Sequence, residues 1–207
     1  MLSFYRGDDM KYGKFLRKPE QKSDLPFYIS LIAGLLIFLF IFQPIRVKGE
    51  SMENTLVQGD LLLMERNWLV DEYSQGDVII ISKPQYKDGT LIVKRIIAVE
   101  GQVVDIDNET GTVFVDGIPL EEPYASTRTY TVGDTVFPLT VNEGCVFVLG
   151  DNRGDSMDSR FSVIGQVSAD EIQGKVTCLM LPGNGSEKNR LIFPELEPLD
   201  NDMNTTG

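Results

Sequence analysis

Ser51, Lys94 and a dense polar run at 149–165 are the residues of this chain whose types and spacing could carry out covalent chemistry. Ser51 stands in VKGESMENTL, where Gly49 lets the chain turn closely and expose backbone N–H groups, a suitable seat for a nucleophile. A serine beside Gly and Glu also suits a turn or a helix cap, so a base has to come from elsewhere in the chain. Lys94 lies in LIVKRIIAV, and on a strand its same-face neighbours are Ile92 and Ile96, with Ala98 one step further and Arg95 on the other face. A lysine ordinarily titrates at about 10.4, and desolvation among apolar side chains lowers that value towards a range where the amine can accept a proton. The alternatives at Lys94 are snorkelling to solvent or pairing with an acid. The run LGDNRGDSMDSRFSVIG gathers Asp151, Asn152, Arg153, Asp155, Ser156, Asp158, Ser159 and Arg160. It lacks the spacing and terminal Glu of a calcium loop, and it reads as a supporting network for a nearby site.

The chain has no histidine, which excludes His-dependent serine and cysteine triads and HExxH zinc sites, and leaves Lys, Asp, Glu, Tyr or Cys as acid or base. Cys145 and Cys178 form no CxxC pattern and suggest neither a metal knuckle nor a disulfide framework; two separate buried thiols are expected, with one bridge between them as the alternative. No cofactor and no metal is expected. A net charge of -12 repels phosphate backbones, so nucleic acid is not an expected partner.

These residues need elements to position them. Phe27 to Phe42 form an uncharged apolar run that Leu25 and Pro26 extend to about the minimum membrane-crossing length. Arg6, Lys11, Lys14, Arg17, Lys18 and Lys22 precede it and predict a cytoplasmic N-terminus, while the following QPIRVKG offers no A-x-A cleavage site for a removable signal. The expected organisation is a cytoplasmic tail at 1–24, a transmembrane signal-anchor helix at 25–43, an extracytoplasmic domain at 44–182 and a flexible tail at 183–207. Beyond Gln43 the chain holds 13 basic and 27 acidic residues, a balance of -14. Short apolar runs at 61–64, 77–82 and 91–99 alternate with turn residues, and further strands are expected at 103–107, 111–116, 134–141, 145–149 and 175–181. The fold class is therefore mainly β, with about 105–142 as an inserted subdomain.

Taken in order after one apolar segment, GESMENTL, VKRIIAVEGQVV and GDNRGDSMDSR resemble the signature boxes of the bacterial type I signal peptidases. The resemblance implies the mainly β fold which that family shares with self-cleaving repressors. It implies Ser51 as nucleophile and Lys94 as general base, Ser156 hydrogen-bonded to the lysine amine, and Asp158 with Arg160 as a pair that holds the box together. Arg95 and Gly150 also match family positions. The Ser51 backbone N–H is expected to meet the oxyanion, and Gly49 stands where some relatives carry a hydroxyl as second donor, so that donor is unassigned. Asn54 replaces the usual Pro, and the Gly expected soon after DSR arrives only at Gly165.

The implied activity is removal of signal peptides from exported preproteins after small residues in A-x-A-like sites, by an enzyme held in membrane lipid; the oligomeric state is not assigned, a monomer being the default. Ser51 follows Phe42 by nine residues, which sets its expected place close to the outer membrane boundary. The precursor is expected to lie as an extended strand beside an exposed strand edge, in a pocket whose residues the sequence does not assign. Two alternatives stay open: a narrow-client relative for pilin-type surface proteins, and a silent membrane-tethered scaffold. A self-cleaving repressor would need a DNA-binding module and no anchor.

Overall fold

The computed structural model describes residues 24–53, 55–130 and 133–183. Nearly all of the expected cytoplasmic tail and of the expected C-terminal tail lies outside the described residues. The chain divides into two units, 1–38 and 39–207.

In the first unit the chain enters a helix, α1, Leu25–Ile41, which runs three residues past that division and has none of its 17 residues buried. The helix ends two residues before the expected boundary. Pro44 disfavours helical geometry at Gln43, and Phe42 already pairs with Glu65 in a strand. Among the described residues no helix is long and apolar enough to cross a membrane, α1 falling one residue short of 18.

In the second unit two antiparallel sheets are built from the apolar runs. The larger joins β1 (Phe42–Arg46), β2 (Leu61–Arg66), β11 (Ile172–Leu181), β3 (Val78–Ser82), β4 (Leu91–Val99), β9 (Cys145–Leu149) and β10 (Val167–Ser168), in that order. Pro44 has no N–H to give a ladder, which suits β1 to its place at the sheet edge. The smaller sheet joins β7 (Ile118–Pro119), β6 (Thr112–Val115), β5 (Val103–Asp107) and β8 (Leu139–Thr140). It is the inserted subdomain, and it begins two residues before the expected start.

β3 is buried along Val78, Ile79, Ile80 and Ile81, because the large sheet is covered on both faces. Val78 and Ile80 pack with Met52, Leu56, Leu62 and Val176, whereas Ile79 and Ile81 pack with Ile96, Val148 and Ile164. Burying each such side chain contributes about 1.5–3 kcal/mol. In the insertion, Val104, Ile106, Val113 and Val115 alternate with more exposed residues and pack on Ile97, Phe147 and Leu149 of the large sheet.

Three expectations need correction. The strand expected at 134–141 is limited to Leu139–Thr140, because Asp134 and Thr135 donate their N–H groups to the Arg160 carbonyl and Pro138 has none to give. β1, β7 and β10 were not expected, being too short or too broken by Pro to show alternation. The cysteines are free as expected but not buried: Cys145 is half-buried and Cys178 is exposed.

The sheet is tightest at Gly174, where an added Cβ would collide with the Glu65 carbonyl oxygen and come within 2.8 Å of the Met64 side chain. Gly174→Ala therefore forces β2 and β11 apart and is expected to cost about 1–3 kcal/mol, typical of overpacking. Thermal unfolding checks this through a melting temperature lower by several degrees; an unchanged value contradicts the packing described.

Candidate active site

Ser51 is presented by a turn that two apolar side chains fasten to the core. After β1, Val47 N–H donates to the Asp60 carbonyl at 2.8 Å and Gly59 N–H to the Val47 carbonyl at 3.0 Å. Gly49 then takes a φ of +91°, a conformation that side chains resist. Glu53 N–H closes the turn on the Glu50 carbonyl at 3.0 Å, and Leu56 N–H reaches Met52 at 2.8 Å. Met52 and Leu56, four apart, are both buried beside Leu62, Met64 and Ile80. With its neighbour pinned inward, Ser51 is left half-buried at the surface.

Lys94, on β4 opposite Ile79, places its Nζ 2.7 Å from Ser51 Oγ. The lysine side chain is almost wholly buried, and that desolvation pushes its pKa down to about 8. Asp158 and Asp151 pull in the opposite direction, while Arg160 and Lys87 add to the lowering.

The run at 149–165 holds this pair from behind. Arg95 reaches Asp151 through Nε at 2.9 Å and through a terminal nitrogen at 2.7 Å, both residues fully buried, and its guanidinium lies 4.1 Å from the Tyr124 ring centroid. Arg160 grips Asp158 in the same two-pronged way at 2.8 Å. The arginine also donates to the carbonyls of Arg153 and Ser156. Asp158 accepts the Gly150 N–H at 3.0 Å. Its arginine and that N–H hold the carboxyl below its ordinary value although burial opposes this. Arg153 donates to the Gly150 carbonyl and to Glu122 and Thr129 of the insertion.

The link to the nucleophile is Asn152, whose N–H donates to the Ser51 carbonyl at 3.0 Å and whose side-chain amide donates to the Glu50 carbonyl at 3.1 Å. Gly150 makes the approach feasible: a Cβ there would lie 2.5 Å from both Ser156 Cβ and the Ser51 carbonyl oxygen, and closer still to Ser156 Oγ.

The expected residues Ser51, Lys94, Asp158, Arg160, Arg95 and Gly150 thus come together. Ser156 is adjacent, but its expected hydrogen bond to the Lys94 amine is not formed. Its buried hydroxyl packs against Gly150, has no complete hydrogen bond, and lies close enough to Asp158 to help keep that carboxylate ionised. Asn152 stood in the polar cluster without a role, and Tyr124 and Glu122 carried no sequence signal, since their contacts are made only by the folded insertion.

A cleft of about 610 Å³ opens beside Ser51, lined by β1 and by the start of β4. β1 is an edge strand, and β4 pairs with β9 only from Arg95 onward, so Leu91 to Val93 have no strand on that side among the described residues. The Ser51 N–H likewise has no acceptor among the described residues. A hydroxyl beside a desolvated amine, with a free N–H and two strand edges at hand, has the parts for acyl transfer on an extended peptide. No second oxyanion donor is assigned.

Residues 23–181 match the family model described as signal peptidase, peptidase S26. Signal peptidase I P of Bacillus subtilis subsp. natto is 33% identical over 168 residues, covering 77% of this chain and 88% of its own. Probable signal peptidase I-1 of Synechocystis is 35% identical over 147 residues, covering 67% and 72%. A solved signal peptidase I of Enterococcus faecalis V583 is 28% identical, covers 52% of this chain and 99% of its own, and superposes with a TM-score of 0.44.

Gly150→Ala is expected to displace Ser51 relative to Lys94 and to slow acylation of Ser51 by an activated ester about a hundredfold, the cost of misplacing a reacting group by about 1 Å. The rate is to be compared in protein whose circular dichroism matches the unsubstituted chain; an unchanged rate contradicts the close approach at this position.

Proposed function

The chain belongs to the signal peptidase family, peptidase S26, as a type I membrane-bound serine endopeptidase acting on the signal sequences of exported preproteins, and from that premise we propose that Ser51 is its nucleophile and Lys94 its general base. The observation that carries this assignment is the 2.7 Å separation between Ser51 Oγ and a desolvated Lys94 amine.

The precursor's c-region lies in the cleft as an added strand, its main chain bonded to the free edges of β1 and β4, with small residues seated before the cut in an A-x-A-like pattern. Neutral Lys94 takes the Ser51 proton as Oγ forms a bond to the scissile carbonyl carbon. Negative charge collects on the carbonyl oxygen, and the Ser51 N–H donates to it. Collapse breaks the C–N bond, and the Lys94 ammonium returns its proton to the departing amine. Water, deprotonated by the same lysine, then hydrolyses the acyl-enzyme and frees Ser51. Asp158, Arg160, Arg95 and Gly150 position the pair and touch no reacting atom.

The helix α1 is the anchor, with residues 1–24 cytoplasmic, as their Lys and Arg content favours, and 44–182 extracytoplasmic. Its 17 residues extend about 26 Å, and local thinning of the bilayer accommodates the shortfall from about 30 Å. Neither a silent scaffold nor a pilin-restricted enzyme has an observation in its favour.

A detergent-solubilised precursor with an A-x-A site, mapped by mass spectrometry, tests the reading. Cleavage after the second small residue is expected, with Ser51→Ala and Lys94→Met each lowering kcat/KM about 10³-fold or more. Because the neutral amine is the active form and its pKa lies near 8, kcat/KM rises about tenfold between pH 7 and 9. Undiminished cleavage by either variant contradicts the assignment.

A further inference from the structure

Cations that no carboxylate engages are concentrated around the cleft. Beyond Gln43 carboxylates outnumber cations 27 to 13, and among the described residues Lys83, Arg95, Arg153, Arg160 and Lys175 are each engaged by a carboxylate. Lys94 apart, five described cations stand outside these ion pairs, Arg46, Lys48, Arg66, Lys87 and Arg128, and three of the five, Arg46, Lys48 and Lys87, line the cleft beside Ser51. No carboxylate lines it; Glu50 and Asp88, next in sequence to Ser51 and Lys87, are exposed and are not part of the lining.

Lys87 is also held in place at a conformational cost. It has a φ of +46° and Asp88 one of +54°, in a turn where neither residue is glycine. The turn is fastened by Ser82 Oγ donating to the Gly89 carbonyl at 2.7 Å and Thr90 Oγ1 donating to the Lys87 carbonyl at 2.6 Å. Such strain persists where the surroundings impose it, and it accumulates at functional positions. The Lys87 charge is felt at Lys94, which puts it within electrostatic reach of the reacting amine. The remaining wall is largely apolar, with Ile45, Val47, Ile80 and Ile92, and low-dielectric walls focus the field of the charges at their rim.

We propose that Arg46, Lys48 and Lys87 form a cationic rim that selects precursors carrying an acidic side chain in the stretch bound by the cleft. The inference deepens the signal peptidase reading and rests on it, since it takes the cleft as the seat of the peptide. A peptide is favoured over a lipid headgroup because the same residues surround two free strand edges and the nucleophile, which are features that recognise main chain.

The test uses the full chain in detergent with Ser51→Ala, so that binding is read without cleavage. Fluorescent peptides bearing one A-x-A site differ only in an Asp or a Lys walked through the five residues before the cut. At one or more positions the Asp peptide is expected to bind about fivefold more tightly, the scale of an exposed ion pair, with a gap that narrows as salt rises. Lys87→Gln reduces the preference and Lys87→Glu reverses it, in variants whose melting temperature is unchanged. Equal affinity at every position, a preference indifferent to Lys87→Glu, or no binding of either peptide overturns the proposal. So does an effect that appears only in vesicles of anionic lipid and is equal for both peptides, which would assign the rim to headgroups. Cleavage of the same peptides by the unsubstituted chain is scored alongside and reports separately on Ser51 and Lys94, so the two readings fail independently.

Discussion

A primary amine kept from water within hydrogen-bonding distance of a hydroxyl is the constraint around which this protein is arranged. Burial of Lys94 disfavours its ammonium form, yet the amine is surrounded by a domain rich in carboxylates, and the two nearest that act on it, Asp151 and Asp158, both favour that form. Each of those carboxylates is gripped by its own buried arginine, Arg95 and Arg160. A charge paired in this way projects much less field than a bare one, so desolvation prevails at Lys94. The two arginines thus contribute to the chemistry without touching it. Removing either would leave an uncompensated buried carboxylate, at a cost of about 3–5 kcal/mol.

The same network explains why a second sheet is inserted between the lysine strand and the 149–165 run. Tyr124 covers the Arg95 guanidinium, Glu122 and Thr129 hold Arg153, and Asp134 and Thr135 are fastened to the carbonyl of Arg160 and to Ser162. The insertion is therefore a clamp on the polar run as well as a lid over Ile97 and Phe147. From the other side, Asn152 and Gly150 carry that rigidity to the Ser51 turn. Sequence regions that are far apart converge there because Gly150 has no side chain to keep them separate.

Much of this could be read in the sequence. Ser51, Lys94, Arg95, Gly150, Asp158 and Arg160 were legible because their neighbours form short, dense motifs, and the long strands β3, β4 and β9 because their apolar runs are unbroken. The insertion showed in its composition. What stayed hidden depends on long-range contacts. Residues 134–138 look like a strand but are held by the Arg160 loop, and Tyr124 and Glu122 look like ordinary surface residues until the small sheet folds over Arg95 and Arg153. The helix end depended on Pro44 and on pairing with β2, which the apolar run does not reveal. That the Ser156 hydroxyl is left without a complete hydrogen bond is a matter of local geometry that no motif encodes.

The claim that the whole arrangement serves is that Lys94 is largely neutral under mildly alkaline conditions, and its amine can be observed directly. Lysine labelled with ¹³C at Cε, incorporated into the full chain in detergent and assigned by the loss of one resonance in Lys94→Met, reports the titration of that amine by nuclear magnetic resonance. The account predicts a midpoint of about 8, well below the ordinary lysine value of about 10.4. A Lys94 midpoint at or above the common lysine value would show that the carboxylates, not burial, govern this amine, and would contradict the account.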